Sequence, residues 1–151
     1  MYLTARKSIS NWTHSKPDQQ ALYHSVVRGL DLDSDDLDGD FPVISVEVPV
    51  AYWRKAHQIH DWFVENNQDG EDNCAEYYVS RVSLEALHLL CNQVLDKPEL
   101  APEILPLGYS PAVDNYNEWY FEQITNTRDM LRKVLDNPKF VEYDLYYSSS
   151  W

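Results

Sequence analysis

Apolar and polar positions change their period several times along this chain, and each change predicts an element. Tyr2–Ile9 alternates weakly and is rich in strand-tolerant residues, which predicts a first short strand. Asn11–Lys16 is polar and ends at Pro17, a loop signal. Asp18–Leu30 fits a short helix with Leu22, Val26 and Gly29 along one side. Phe41–Val50 (FPVISVEVPV) is the clearest strand, its β-branched residues broken by Ser45 and Glu47 in period two. Pro42 and Pro49 near its ends point to an edge position or to a strand stopped by its prolines. Ala51–Asn67 carries the strongest helical signal, with Tyr52, Ala56, Ile59 and Phe63 on one face. Gln68-Asp69-Gly70 ends it with a glycine free to take positive φ.

Glu76–Ser80 predicts a short strand. Ser83 then caps a helix whose Leu84, Leu87, Leu90 or Cys91, and Val94 turn inward. Pro98 stops that helix. The next stretch, 98–111, holds four prolines and a glycine and reads as a connector. Asn115 with Glu118 resembles a capping pair. The helix after it carries Trp119, Tyr120, Ile124, Thr127, Leu131 and Val134, with Arg132 and Lys133 suited to its C-terminal dipole. After Pro138, Phe140–Tyr147 alternates as a final strand. The expected architecture is α+β: a small, mostly antiparallel sheet of about four strands with three main helices packed largely on one face. No repeat or long linker interrupts 1–151, so a single domain is expected.

Composition narrows the function classes. Twelve Lys plus Arg stand against 25 Asp plus Glu, a formal charge of -13, which excludes nucleic-acid binding through a broad basic face. No direct nucleic-acid contact is therefore expected. The 44 % of apolar residues is enough for a packed core, so wholesale disorder is excluded. No apolar run approaches the roughly 20 residues needed to span a bilayer, and MYLTARKSIS has no apolar signal-peptide core. The expectation is a cytoplasmic protein without membrane attachment, in which Cys74 and Cys91 are free thiols. Asp31–Asp40 packs six Asp into ten positions, which predicts a solvated loop; without them the remaining charge is -7. An EF-hand does not fit, because Phe41 stands where a glycine must turn the chain.

The densest chemical vocabulary lies in Tyr52–Phe63, where Trp53, His57 and His60 would share one helical side beside Arg54 and Lys55. Such a surface can grip an anionic ring-bearing ligand by stacking and bidentate pairing. The alternative is that Trp53 fills the core and both histidines are ordinary hydrogen-bonding residues. The ligand-contacting candidates are Trp53, Arg54, His57, His60, Glu76, Tyr78 and Trp119. His57 and His60 could also share a metal with Asp72, Cys74 or Glu76, but the spacing is not that of the H-E-x-x-H motif. No metal and no cofactor are expected. The isolated glycines form no phosphate loop, and no G-x-S-x-G turn is present.

The opening Met1-Tyr2-Leu3-Thr4-Ala5-Arg6-Lys7, the Tyr52–Phe63 block, Gln68-Asp69-Gly70, and Cys74, Glu76, Tyr77, Val79 and Ser80 form a pattern completed by Glu118-Trp119-Tyr120-Phe121. That pattern resembles a family of small, functionally unassigned proteins of bacteriophages and prophages, in the same order from Val43 to Leu135. His57 stands where the family pattern has asparagine, and the acidic 31–40 stretch is particular to this chain. The resemblance implies a phage source and a host-cell location, and no reaction. The expected function is a non-enzymatic accessory protein that binds a host protein or sequesters a small anionic, nucleotide-like ligand. The alternatives are a protein–protein inhibitor using its acidic surface as a nucleic-acid mimic, and a small metal-dependent hydrolase. Homo-oligomerisation is left open.

Overall fold

The computed structural model describes residues 1–33, 35–108 and 115–150. In chain order it contains β1 (Tyr2–Ser10), α1 (Pro17–Gly29), β2 (Val43–Tyr52), α2 (His57–Asn67), β3 (Tyr77–Val79) and α3 (Arg81–Asp96). A 3₁₀ turn (Pro98–Leu100), the one-turn α4 (Ala101–Ile104), α5 (Glu118–Leu135), a second 3₁₀ turn (Pro138–Glu142) and β4 (Asp144–Ser148) follow. The four strands form one antiparallel sheet in the order β2-β1-β4-β3, an α+β fold. β2 is an edge strand, which is why Pro49 is tolerated inside it: the missing N–H is not needed by a neighbour on that side.

The chain divides into two compact units, one of Met1–Ala5 with the chain from Val48 onward, the other of Arg6–Glu47. The first is built on a buried sheet face made of Leu3, Ala5, Ala51, Val79, Leu145 and Tyr147. Ile59 and Phe63 of α2 join the same core, with Leu84, Leu87, Cys91 and Val94 of α3 and Tyr120, Ile124, Leu131 and Val134 of α5. Phe63 stacks on Tyr147 with ring centroids 4.1 Å apart and planes 12° from parallel. α3 packs extensively on α5, and the Arg81 guanidinium donates to the Leu135 carbonyl, placing a cation at the negative end of α5.

The second unit has a thinner core: Ile9 from β1 and Tyr23 and Val27 from α1, with Val26, Leu37, Ile44 and Val46 packed against them. The buried side of α1 is thus Tyr23–Val27, and Leu22, expected on it, is 44 % exposed. The six Asp of the 31–40 loop are exposed, as their density implies. The loop is stapled by its own carboxylates: Asp33 Oδ1 accepts from the Asp35 amide at 2.9 Å and Asp38 Oδ1 from the Asp40 amide at 3.0 Å. Ser34 lies outside the described residues.

Several boundaries differ from the sequence pattern, each for a local reason. Trp53 N–H donates to the Met1 carbonyl, so the pairing with β1 continues to the end of β2. Ile44 and Val46 pack against the core of the second unit, and Ala51 and Trp53 enter that of the first. The strand therefore runs on to Tyr52, and α2 begins six residues later than its apolar spacing suggested. The cap of α3 is Ser80, whose Oγ accepts from the Ser83 amide at 3.0 Å; Ser83 is inside the helix. The cap of α5 is Asn117, not Asn115, accepting from the Tyr120 amide at 3.1 Å. Prolines 98 and 102 start short helical turns, where a missing N–H is harmless, so 98–104 is helical; the connector's last part, 109–111, lies outside the described residues. Asn137 and Pro138 likewise open a 3₁₀ turn, which delays the last strand to Asp144.

Candidate functional site

The turn from β2 into α2 concentrates the candidate residues. Tyr52 is the last residue of an edge strand and faces outward, where its ring meets that of Tyr2 at 5.1 Å. Trp53 faces inward and is 2 % exposed. Its ring lies against Phe63 and Tyr147, and its indole N–H donates to Thr127 Oγ1 at 2.9 Å. The Thr127 hydroxyl in turn donates to the Gln123 carbonyl at 2.7 Å. Trp53 is a satisfied core residue, and the plane available for stacking beside Arg54 is Tyr52. Arg54 and Lys55 are exposed, and Lys55 takes a left-handed conformation (φ 58°) that reverses the chain into α2.

These residues border a cleft of about 260 Å³, lined by Met1, Tyr2, Tyr52, Trp53, Arg54, Lys55, His57 and Ser150. His57 opens α2, and the preceding Ala56 supplies no side-chain cap. The first turn of α2 is also held by Gly108, at φ +70°: a Cβ there would lie 2.7 Å from the His57 carbonyl carbon and 2.9 Å from the Gln58 nitrogen. Only a glycine fits that approach. The Tyr120 hydroxyl, donating to the Leu105 carbonyl, anchors the same segment to α5.

His60 lies elsewhere. It is 2 % exposed, with Nδ1 2.7 Å from the Tyr147 hydroxyl and Nε2 3.3 Å from Asp72 Oδ2. Burial pushes the Tyr147 phenol far above its ordinary range, and the nearby Asp72 and Asp61 carboxylates add to that. His57 and His60 therefore serve different surroundings: one borders an open cleft, the other ties α2 to β4 and to the loop after α2. Tyr78 is 57 % exposed on β3, edge-to-face with Tyr146. Glu76 is exposed just before β3, and Trp119 is half-buried in the first turn of α5. None of His60, Glu76, Tyr78 and Trp119 is among the residues lining the cleft. Tyr2 and Ser150, which do line it, are not among those ligand-contacting candidates. Tyr52 lines it because β2 runs on past Val50, which turns this ring outward instead of onto the apolar face of α2.

Among the described residues no three His, Cys, Asp or Glu side chains converge as a metal site. Cys74 is exposed in the loop after α2, where Asn73 donates to the Tyr77 hydroxyl at 2.8 Å, and Cys91 is buried. A second cleft, about 270 Å³, lies in the other unit, with Tyr23, Val27, Leu37 and Pro42 as apolar walls and Asp38 at its border. Fold and site together define a four-stranded α+β protein with a small tyrosine-walled, cationic cleft. Comparison with protein-family models, with curated proteins and with solved structures finds no match.

Proposed function

We propose that this protein binds a small anionic ligand bearing an aromatic ring, nucleotide-like in chemistry, in the cleft between Tyr52 and His57. The observation that carries this reading is the gathering of Arg54, Lys55 and His57 with the Tyr2–Tyr52 ring pair around one space of about 260 Å³. Arg54 offers a planar fork for a phosphate or carboxylate, Lys55 a second cation, and the tyrosines a surface for the ring. The volume of about 260 Å³ lies just below the range of drug-sized pockets, roughly 300–1,000 Å³, and so suits one ring with one anionic group. Binding is favoured over catalysis because none of the hydrogen-bonded set Asp72–His60–Tyr147 lines the cleft, and Tyr147 is fully buried. Joined to the resemblance to phage and prophage proteins, this reading makes the chain an accessory protein acting on a host molecule in the host cytoplasm.

Calorimetry against a panel of nucleoside monophosphates and aromatic carboxylates tests the proposal. At least one member binds, Arg54→Ala and Tyr52→Ala each weaken it about tenfold or more, and Arg54→Lys weakens it noticeably because the fork geometry is lost. Trp53→Ala is unsuitable as a probe, since it removes a core residue. Absence of binding throughout the panel at millimolar concentration, or wild-type affinity in Arg54→Ala, overturns it. The exposed aspartates of 31–40 favour a second reading, an inhibitor of a basic host site. That reading expects complex formation with a host protein that weakens steadily with salt and ignores Arg54.

A further inference from the structure

The outer face of the sheet extends the cleft. Leu3, Ala5, Ala51, Val79, Leu145 and Tyr147 all enter one core, and one residue beside them in each strand points to the opposite face. Those neighbours are aromatic in every strand: Tyr52 in β2, Tyr2 in β1, Tyr146 in β4 and Tyr78 in β3. Tyr52 is 52 % exposed, Tyr2 40 % and Tyr78 57 %, values that mark a face not covered by packing. The rings meet in two pairs, Tyr2–Tyr52 at 5.1 Å and Tyr78–Tyr146 at 6.0 Å. β2 and β3 are opposite edges of a four-stranded sheet, three strand spacings or about 14 Å apart. That span is wider than one nucleobase, so one occupant using both pairs must carry at least two rings.

We propose that the cleft is the phosphate-binding end of a track for a short single-stranded nucleic acid, whose bases lie on the tyrosines of the open sheet face. The inference rests on the cleft reading above and adds the identity of its ligand: a phosphorylated strand end. Arg54 and Lys55 meet the terminal phosphate, the Tyr2–Tyr52 pair takes the first base, and Tyr146 and Tyr78 take a later one. A charge of -13 excludes binding driven by a basic face, but it does not exclude binding driven by stacking, which any base supplies through its π-face. Six of the acidic charges belong to the 31–40 loop of the other unit. With two permanent cations at the phosphate end, the logarithm of affinity falls against that of salt with a slope of about -1.4, much shallower than for a basic groove.

Fluorescence anisotropy of a labelled, 5′-phosphorylated hexathymidylate, beside calorimetry of thymidine monophosphate, tests this. The hexamer binds at least tenfold tighter than the monophosphate. Tyr78→Ala lowers hexamer affinity about tenfold, leaves the monophosphate unchanged, and is rescued by Tyr78→Phe. Arg54→Ala weakens both ligands. Circular dichroism confirms that the variants are folded, as the exposure of Tyr78 leads one to expect. If the monophosphate binds through Arg54 while the hexamer is no tighter and Tyr78→Ala is silent, the track is overturned and the cleft reading stands. If neither ligand binds, both fall. A concentration-dependent dimer in sedimentation that Tyr78→Ala dissolves assigns the face to a second copy of the chain and also overturns the track.

Discussion

The two units contrast in how much core each has for the chemistry it carries. In the unit from Val48 onward, α2, α3 and α5 and the buried sheet face share one continuous core, and the candidate cleft sits directly above Trp53, one of its largest members. In Arg6–Glu47 the fully buried apolar residues among those described are Ile9, Tyr23 and Val27, and the most acidic loop of the chain is attached to them. A rigid, thick core can hold Arg54 and His57 in place for recognition. A thin one opens locally at lower free energy, which a solvated loop tolerates. Position-sensitive chemistry belongs to the first unit, and tolerance of change to the second.

The largest effect should come from the thick core. Phe63→Ala removes a ring stacked on Tyr147 and is expected to cost about 3–5 kcal/mol in denaturant melts; a loss below about 1 kcal/mol would erase the contrast. Tyr23→Ala, in the thin core, is expected to cost about 1–2 kcal/mol because its surroundings collapse more readily. Hydrogen exchange should show the lost protection confined to residues 6–47. Global loss of protection would mean that the two cores open as one.

Alkaline titration gives a smaller, pH-defined effect inside the thick core. Burial pushes the Cys91 thiol up to about 12 from its ordinary value near 9, and the Tyr120 and Tyr147 phenols are raised for the same reason. Groups raised on folding hold their proton more tightly in the native state. Their contribution is complete below the ordinary value and is lost as pH climbs through the folded one. Stability should therefore be flat up to about pH 9 and fall from there toward about pH 12, with a gentler slope in Cys91→Ala. A native thiol assay should count Cys74 alone. The smallest effect belongs to the acidic loop. Asp36, Asp38 and Asp40 changed together to Asn keep the side-chain oxygens that staple the turns. Stability should stay within about 0.5 kcal/mol of wild type or rise slightly. A melting temperature that climbs with millimolar calcium, and no longer does so in the triple variant, would show a cation site instead.

Most elements were legible because their signals are local. The inward residues of α3, Leu84, Leu87, Cys91 and Val94, follow helical spacing, and the aspartates of 31–40 repel whatever the rest of the chain does. The edge position of β2 was one of the two readings that its prolines offered, and Pro49 inside the strand agrees with it. Capping residues were misplaced by two or three positions, because Ser80 and Ser83, or Asn115 and Asn117, are chemically equivalent until the backbone chooses between them.

What the amino-acid order determined by itself is the α+β class, the burial of Ile59 and Phe63, and the richness of the Tyr52–Phe63 block. What the tertiary structure decided is which side of that block meets solvent. Tyr52, Ala56, Ile59 and Phe63 satisfy a helical face arithmetically, and only pairing with β1 carries the strand through Tyr52, turning Tyr52 out and Trp53 in. The same pairing separates His57 from His60, three residues on, placing one at the cleft and the other under Asp72 and Tyr147. Local spacing cannot choose between the two sides of the block, because the pairing that decides is made with a strand some forty residues away in the chain.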